Sequence, residues 1–369
     1  MKEKKLYLPG LNGLRAIAAL AVVFSHSTLA MPQFNLVFAP FGTTSDGKPQ
    51  GYLLASYGVS IFFVLSGFLI SYLLLLEKEL GKIDIKKFYI RRILRIWPLY
   101  YLFLALCIIT LLAVGGAVDL RALFYYVFFA ANIPFIYNFA IPFLSHYWSL
   151  AVEEQFYLFW PWIMMKIKKH LFAIILILVI LQNVIRVALW YFVPHSEIAV
   201  FSLVNRFDCM MIGGLGAILF ESKNKYFLKI VDNKIMQVFA FLGLLILVLN
   251  KLHINAIVDN FVVSIIALIL IIGQINVKNR IVNLDIPICN FLGKISFGIY
   301  VYHPLIIFIL SLFLKDMILL DTYKIILIYL LVVSITLLVA YISYEYFEKP
   351  FVKYKDKFAV IKSSPFRIK

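Results

Sequence analysis

Runs of about twenty apolar residues, among them "LRAIAALAVVFSHSTLA" (14–30) and "FFVLSGFLISYLLLL" (62–76), recur from one end of this chain to the other. A helix needs about that length to cross the ~30 Å hydrocarbon core of a bilayer. Apolar residues make up 63% of the 369 and charged ones 15%, and mean hydropathy is +0.94; an ordinary soluble domain is excluded. The ~10-residue alternation of membrane β-barrel strands is absent. The chain therefore reads as an all-α integral membrane protein. No small-residue cleavage site follows the first apolar run after "MKEKKLYLPG", so that run reads as a retained span rather than a removable signal.

The runs mark ten transmembrane helices, near 11–30, 57–76, 97–114, 147–165, 171–192, 203–220, 235–250, 257–275, 289–313 and 323–345. Segments 1–10, 77–96, 166–170, 221–234, 276–294 and 347–369 hold 27 of the 35 Lys and Arg and alternate with the spans, as expected if both termini are cytoplasmic. The net charge of +16 is thus topological, and no nucleic-acid partner is expected. Segment 121–139 is apolar but carries Asn132, Pro134 and Asn138; counting it as a crossing would invert every later loop. It reads as a re-entrant or interfacial segment on the outer side. The longest outer loop is 31–56. The domain reading is one transmembrane domain over 1–350 and a basic cytoplasmic tail over 351–369, with no soluble domain at either end.

Polar residues inside the spans carry the functional expectations, because charged and titratable side chains are costly in lipid. Eleven residues separate Arg15 from His26, a rise of ~16 Å and within ~20° of three full turns, so they share a helix face. Arg15 then lies near the cytoplasmic surface and His26 in the outer half of the bilayer. A functional line across the membrane is favoured over a snorkelling Arg with a structurally satisfied His. Arg92 and Arg95 stand three apart at the inner mouth of the third span. They suit a bidentate phosphate clamp or, equally, positive-inside anchoring beside Trp97. Glu153 sits a turn and a half below Trp148, at the depth of His26. A carboxylate there can orient an imidazole as general base, the competing reading being a structural pair with Arg186; Glu154 is the weaker acid.

Ser66 and Gly67 read chiefly as small residues for close helix packing. Arg206 and Asp208 either line a tunnel or pair with each other. His303, before Pro304, needs a partner, structural or catalytic. Glu345 and Glu348 are expected to set a helix terminus. Cys107, Cys209 and Cys289 stand alone in apolar segments and read as buried free thiols, and no residue cluster points to a metal.

Together these stretches resemble the acyltransferase 3 family of membrane acyltransferases over nearly the whole chain. "LNGLRAIAALAVVFSH" is similar to its Arg-x10-His opening, "FFVLSGFLIS" to its second-span signature, "RRILR" to its Arg-x-x-Arg pair and "YWSLAVEEQFYLFWP" to its Trp-Ser-Leu-x-x-Glu block. "NRFDCMMIGGLGA", "GKISFGIYVYHPL" and "YEYFEKPF" follow in the family's order. The resemblance implies O-acyl, commonly O-acetyl, transfer from cytoplasmic acyl-coenzyme A to a sugar hydroxyl of an envelope glycan or lipid-linked sugar across the bacterial inner membrane, with no permanently bound cofactor. By analogy Arg92, Arg95 and Arg15 hold the donor, and His26, oriented by Glu153, takes the hydroxyl proton. Ser66, Trp148, Ser149, Arg206, Asp208 and His303 line or support the route. Whether an acyl-histidine forms stays open.

Family members with a fused extracytoplasmic domain hand the acyl group to a second site. This chain ends 24 residues after the tenth span, and the expectation is that it completes transfer itself. Two rivals stand beside this reading. One is a polytopic transporter or exporter of an envelope polysaccharide, although no repeat of five spans and five is evident and the polar residues gather at two mouths rather than one midplane site. The other is a coenzyme A sensor without turnover.

Overall fold

The structure, a computed structural model, describes residues 5–40, 42, 43, 47, 49–81, 83–167 and 169–363. Residues 41, 44–46 and 48 of the expected outer loop and 364–369 of the expected tail lie outside the described residues. Fifteen helices are described: α1 (Leu11–Leu29), α2 (Leu53–Glu79), α3 (Ile85–Ala113), α4 (Leu120–Val127), α5 (Asn132–Ile136), α6 (Tyr147–Lys166), α7 (Leu171–Phe192), α8 (Glu197–Val204), α9 (Phe207–Glu221), α10 (Lys225–Val231), α11 (Lys234–Val248), α12 (Ala256–Ile275), α13 (Pro287–Leu314), α14 (Asp321–Ile342) and α15 (Lys349–Lys355). Several begin where a short polar side chain accepts from the first free backbone amides: Asp84 for α3, Asp119 for α4, Ser196 for α8 and Asn255 for α12.

Among the described residues, seven helices are long and apolar enough to cross a membrane, or eight if the bent pair Lys225–Val231 and Lys234–Val248 is one span. This is fewer than the ten expected. The expected spans outside that set are α1 and α6, 19 and 20 residues long. Length is not what separates them; they carry Arg15 and His26, and Glu153 and Glu154. Segment 121–139 holds only α4 and α5, of 8 and 5 residues, each far short of a ~30 Å core. Asn132, the first residue of α5, donates to Asn205 and exchanges hydrogen bonds with Gln155 of α6.

Helix α2 is central: it packs on α1, α9 and α12, and α1 packs in turn on α13. Of the most apolar stretches of α2 and α12, 67% and 72% are buried, against 17% for α7 and 22% for the last span. The first two are therefore inner helices, and the others turn apolar side chains outward. Gly67 and Gly213 bring α2 and α9 to backbone contact; a Cβ on Gly67 would lie 1.9 Å from the Met210 carbonyl oxygen, and one on Gly213 2.2 Å from that of Val64. Gly67 thus packs as its size predicts.

The chain ends meet at one end of the bundle, where Lys5–Leu6 (β1) pairs in parallel with Lys362–Ser363 (β2). A π-helical turn over Ser343–Glu348 joins α14 to α15. It carries Glu348 back to accept from Ser343, which accepts in turn from Tyr302, while Glu345 pairs with Lys349. Segment 349–363 docks rather than trailing away: α15 packs on α3, and Arg91, ion-paired with Glu77 at 2.6 Å, donates to the carbonyl of Phe358. The cysteines are free, Cys107 and Cys209 buried and Cys289 half-buried.

Candidate functional site

At the end shared by the termini, α1, α2, α3, α6 and α13 converge on a small cavity of about 100 Å³ lined by Arg15, Ser66, Arg92, Arg95, Ser149, Glu153, Tyr157, Ser296 and Tyr300 among others. Helical spacing accounts for the gathering: Arg92 and Arg95 are one turn apart on α3, as are Glu153 and Tyr157 on α6. Arg92 lies over the rings of Phe88 and Tyr157 at 5.6 and 5.5 Å, contacts that suit a planar guanidinium, and its Nε is buried without a partner. Lys355 of α15 is within electrostatic range of Arg95, Arg92 and Arg15.

Glu153 lines the cavity in electrostatic range of Arg15 and Arg95, while Glu154 is in range of Arg92 and Glu348 of Arg95. Glu153 Oε1 accepts from Ser66 at 2.5 Å and also from Tyr157. Among the described residues none of the three arginines lies in a salt bridge. Cations gathered in a half-buried place with no carboxylate in salt-bridge contact are costly unless an anion joins them.

Toward the opposite end, α1 delivers His26 to α13. His26 Nδ1 lies 2.7 Å from His303 Nε2, and His303 Nδ1 lies 3.2 Å from the carbonyl oxygen of Ile299. A carbonyl only accepts, so His303 carries its proton on Nδ1 and its Nε2 is a lone-pair acceptor. His26 Nδ1–H must then donate to it. With His26 uncharged, its Nε2 is left as a lone pair for anything that enters. The two rings stack with centroids 5.0 Å apart, and His146 meets His303 edge-on at 5.5 Å. His303 is fully buried, whereas His26 and His146 line a mouth with Leu29, Ala30, Gln33, Phe143, Ser145, Pro304 and Ile307.

Tyr300 stands between the two places. It lines the cation cavity, its ring is 5.3 Å from that of His146, and its hydroxyl donates to the His146 carbonyl while lying 2.5 Å from Ser149 Oγ.

Several expected pairings are corrected. Glu153 is engaged by Ser66 and Tyr157 and faces the arginines, and the ring partner of His26 is His303; α6 turns Glu153 toward α2, α3 and the Arg15 end of α1 rather than toward the His26 end. Arg186 pairs with Asp208 through two bonds of 2.8 and 3.0 Å, both residues buried. This excludes Arg186 as partner of Glu153 and separates Asp208 from Arg206. Arg206 instead donates to Ser60, Asn260 and the Ser56 carbonyl and lies over the Trp148 ring at 5.4 Å. Neither Arg206, Asp208 nor Trp148 lines the cavity or the mouth. Glu154 accepts from Trp97 at 3.1 Å.

Arg15, Arg92, Arg95, Ser66 and Ser149 share the cation cavity with Glu153, while His26 and His303 form the second place. Sequence reasoning passed over Tyr157, Tyr300, Lys355 and His146. Tyr157 stands one helical turn from Glu153, and His146 directly precedes the quoted "YWSL"; those are the signals by which these two could be found. Among the described residues no three of His, Cys, Asp and Glu are arranged to hold a metal ion.

The sequence profile of an acyltransferase domain, that of the acyltransferase 3 family, matches residues 8–345. Curated relatives include a protein of Staphylococcus aureus (strain COL) whose name is that of a candidate O-acetyltransferase, 30% identical over 391 residues, covering 95% of this chain and 58% of the relative. The O-acetyltransferase OatA of S. aureus (strain NCTC 8325 / PS 47) is 27% identical over 373 residues, covering 94% of this chain and 57% of OatA. The chain thus spans less than two thirds of the length of these relatives. No solved structure matches.

Proposed function

The chain belongs to the acyltransferase 3 family, and from that premise we propose that it is a multi-pass membrane O-acyltransferase. It moves an acyl group, acetyl in the first instance, from acyl-coenzyme A to a hydroxyl of a cell-envelope carbohydrate or lipid-linked glycan. The donor sits at the end of the bundle that carries the termini, on the cytoplasmic side of a bacterial inner membrane, and the acceptor at the histidine mouth. The names of the relatives support O-acetyl transfer. On this reading α1 and α6 also cross, giving ten spans: 11 of the 19 residues of α1 are buried against the bundle, and its Arg15 and His26 line cavities of the protein rather than facing lipid.

Arg92, Arg95 and Arg15 are the donor's phosphate ligands, a role that answers the want of an anion among them. A cavity of about 100 Å³ is too small for a coenzyme headgroup, so the phosphates stay at its rim and the thin pantetheine arm enters. The arm runs past Tyr300 toward His26, along the ~16 Å that separates Arg15 from His26 on α1. Glu153, tied by Ser66 and Tyr157, keeps the arginines oriented.

The carrying observation is the histidine pair. With Nδ1–H committed to His303 at 2.7 Å, His26 offers the Nε2 lone pair of a general base. The acceptor hydroxyl gives its proton to Nε2 as its oxygen bonds to the thioester carbonyl carbon. The carbon–sulfur bond then breaks, and the proton passes from His26 to the departing coenzyme A thiolate, which restores the imidazole.

The test is His26→Ala, with ester content of the envelope glycan read by mass spectrometry in cells carrying the wild-type gene, the mutant or neither. Loss of the ester in the mutant and in the knockout, with the mutant protein still inserted, is the expected outcome. Unchanged ester in the knockout removes the acyltransferase reading; full activity in the mutant removes His26 from it.

A further inference from the structure

His146 is 4% exposed, yet neither ring nitrogen makes a hydrogen bond within the protein. The backbone groups beside the ring are those of Phe143 and Val301, carbonyls that can take a ring N–H but offer no donor. A buried imidazole so placed is rare, because a lost partner costs about 1–3 kcal/mol. No carboxylate lines the mouth to balance a charged ring, so the ring is uncharged, with one N–H and one lone pair. Carbonyls alone cannot complete it: whichever nitrogen holds the lone pair needs a donor, and an N–H or O–H must come from whatever occupies the mouth.

The rest of the mouth narrows what that is. About 360 Å³ is room for a small ligand. Leu29, Ala30, Pro304 and Ile307 form an apolar wall, Gln33 and Ser145 an exposed polar lip, and Phe143, its ring 4.4 Å from that of Phe308 and tilted against it, an aromatic edge. Phe143 has φ +68°, a left-handed conformation unusual for a bulky residue. His26 and His146 each lie close to the ring of His303, and both line the mouth.

We propose that the mouth seats a polyhydroxylated, carbohydrate-class acceptor by two hydroxyls at once, one on His26 Nε2 and a second on His146, which makes His146 an acceptor-binding residue. This rests on the acyltransferase reading, whose acceptor is already a carbohydrate, and adds to it the residue that holds a second hydroxyl of that acceptor. The hydroxyl on His146 stays protonated and unreacted; the one on His26 is acylated. The apolar wall takes the less polar face of the sugar ring.

The experiment uses the full chain in proteoliposomes with labelled acetyl-coenzyme A and, as acceptor, the base-treated total envelope glycan fraction of the host, at varied concentration. His146→Phe keeps an aromatic ring and removes both nitrogens; His146→Gln keeps an acceptor oxygen. The expected result is a KM for glycan raised about tenfold in His146→Phe, the worth of one neutral hydrogen bond at ~1.4 kcal/mol per decade, with kcat lowered less and the Gln variant between. Retention of labelled acetyl-coenzyme A reports that each variant is folded, and the Gln variant carries the test if the Phe variant is not. An unchanged glycan KM in a folded variant overturns the inference. Wild-type protein that transfers no label to the glycan overturns instead the reading on which it rests.

Discussion

Replacing His303 with leucine takes away the nitrogen that accepts from His26 Nδ1 at 2.7 Å and leaves nearly everything else about His26 in place. The Nδ1–H is then buried without a partner, at a cost of about 1–3 kcal/mol, and the ring escapes by moving its proton to Nε2 or by swinging away. Either escape removes the lone pair from the reacting position. At ~1.4 kcal/mol per factor of ten, kcat falls roughly 5- to 150-fold, which reaches only the low end of the ~10²–10⁴-fold that a general base contributes in total. His303→Gln, whose amide oxygen still accepts, recovers part of the loss. The decisive measurement is the pair of mutations together, followed as initial rates of label transfer from acetyl-coenzyme A to glycan in proteoliposomes. If His303 works only through His26, the double variant His26→Ala with His303→Leu is no slower than His26→Ala alone. Losses that multiply would refute the argument and give His303 a separate role.

Two further outcomes are expected. Arg92→Ala and Arg95→Ala each weaken retention of labelled acetyl-coenzyme A by about 10- to 100-fold, the range of one hydrogen bond to a charged group, and added salt weakens the wild type in the same direction; equal retention in both variants would remove them from the donor site. Asp208→Asn or Arg186→Leu leaves one buried partner of the 2.8 Å pair unmatched, at about 3–5 kcal/mol, and lowers the melting temperature in detergent, whereas replacing both residues with apolar ones restores much of it; singles as stable as wild type would refute that account.

The site was partly legible before the fold. Arg15 and His26 follow from one helix and its pitch, and Arg92 and Arg95 from another, because spacing within a helix is local geometry. Partnerships between helices were not legible. Asp208 is nearer in sequence to Arg206, yet Arg186 of α7 reaches it, since Arg206 precedes α9 and turns toward Ser60 and Asn260. Glu153 has an outward-facing depth by residue count, but the rotation of α6 in the bundle aims it at Ser66.

What the sequence by itself determined is that the chain lives in a membrane as a bundle of helices, for twenty-residue apolar runs have no other stable setting, and that its polar residues inside those runs are few enough to name. Apolarity also has a limit as a guide: α1 and α6, the helices richest in chemistry, fall outside the set apolar enough to be recognised as spans by that measure. What only the tertiary structure decided is which of those residues face each other. The hydrogen bond from His26 to His303 joins residues 277 positions apart, and the two buried, unpartnered nitrogens of His146 exist only because the loop before α6 folds against α13. Helix rotation and contact across a bundle depend on every neighbour at once, and no local pattern encodes them.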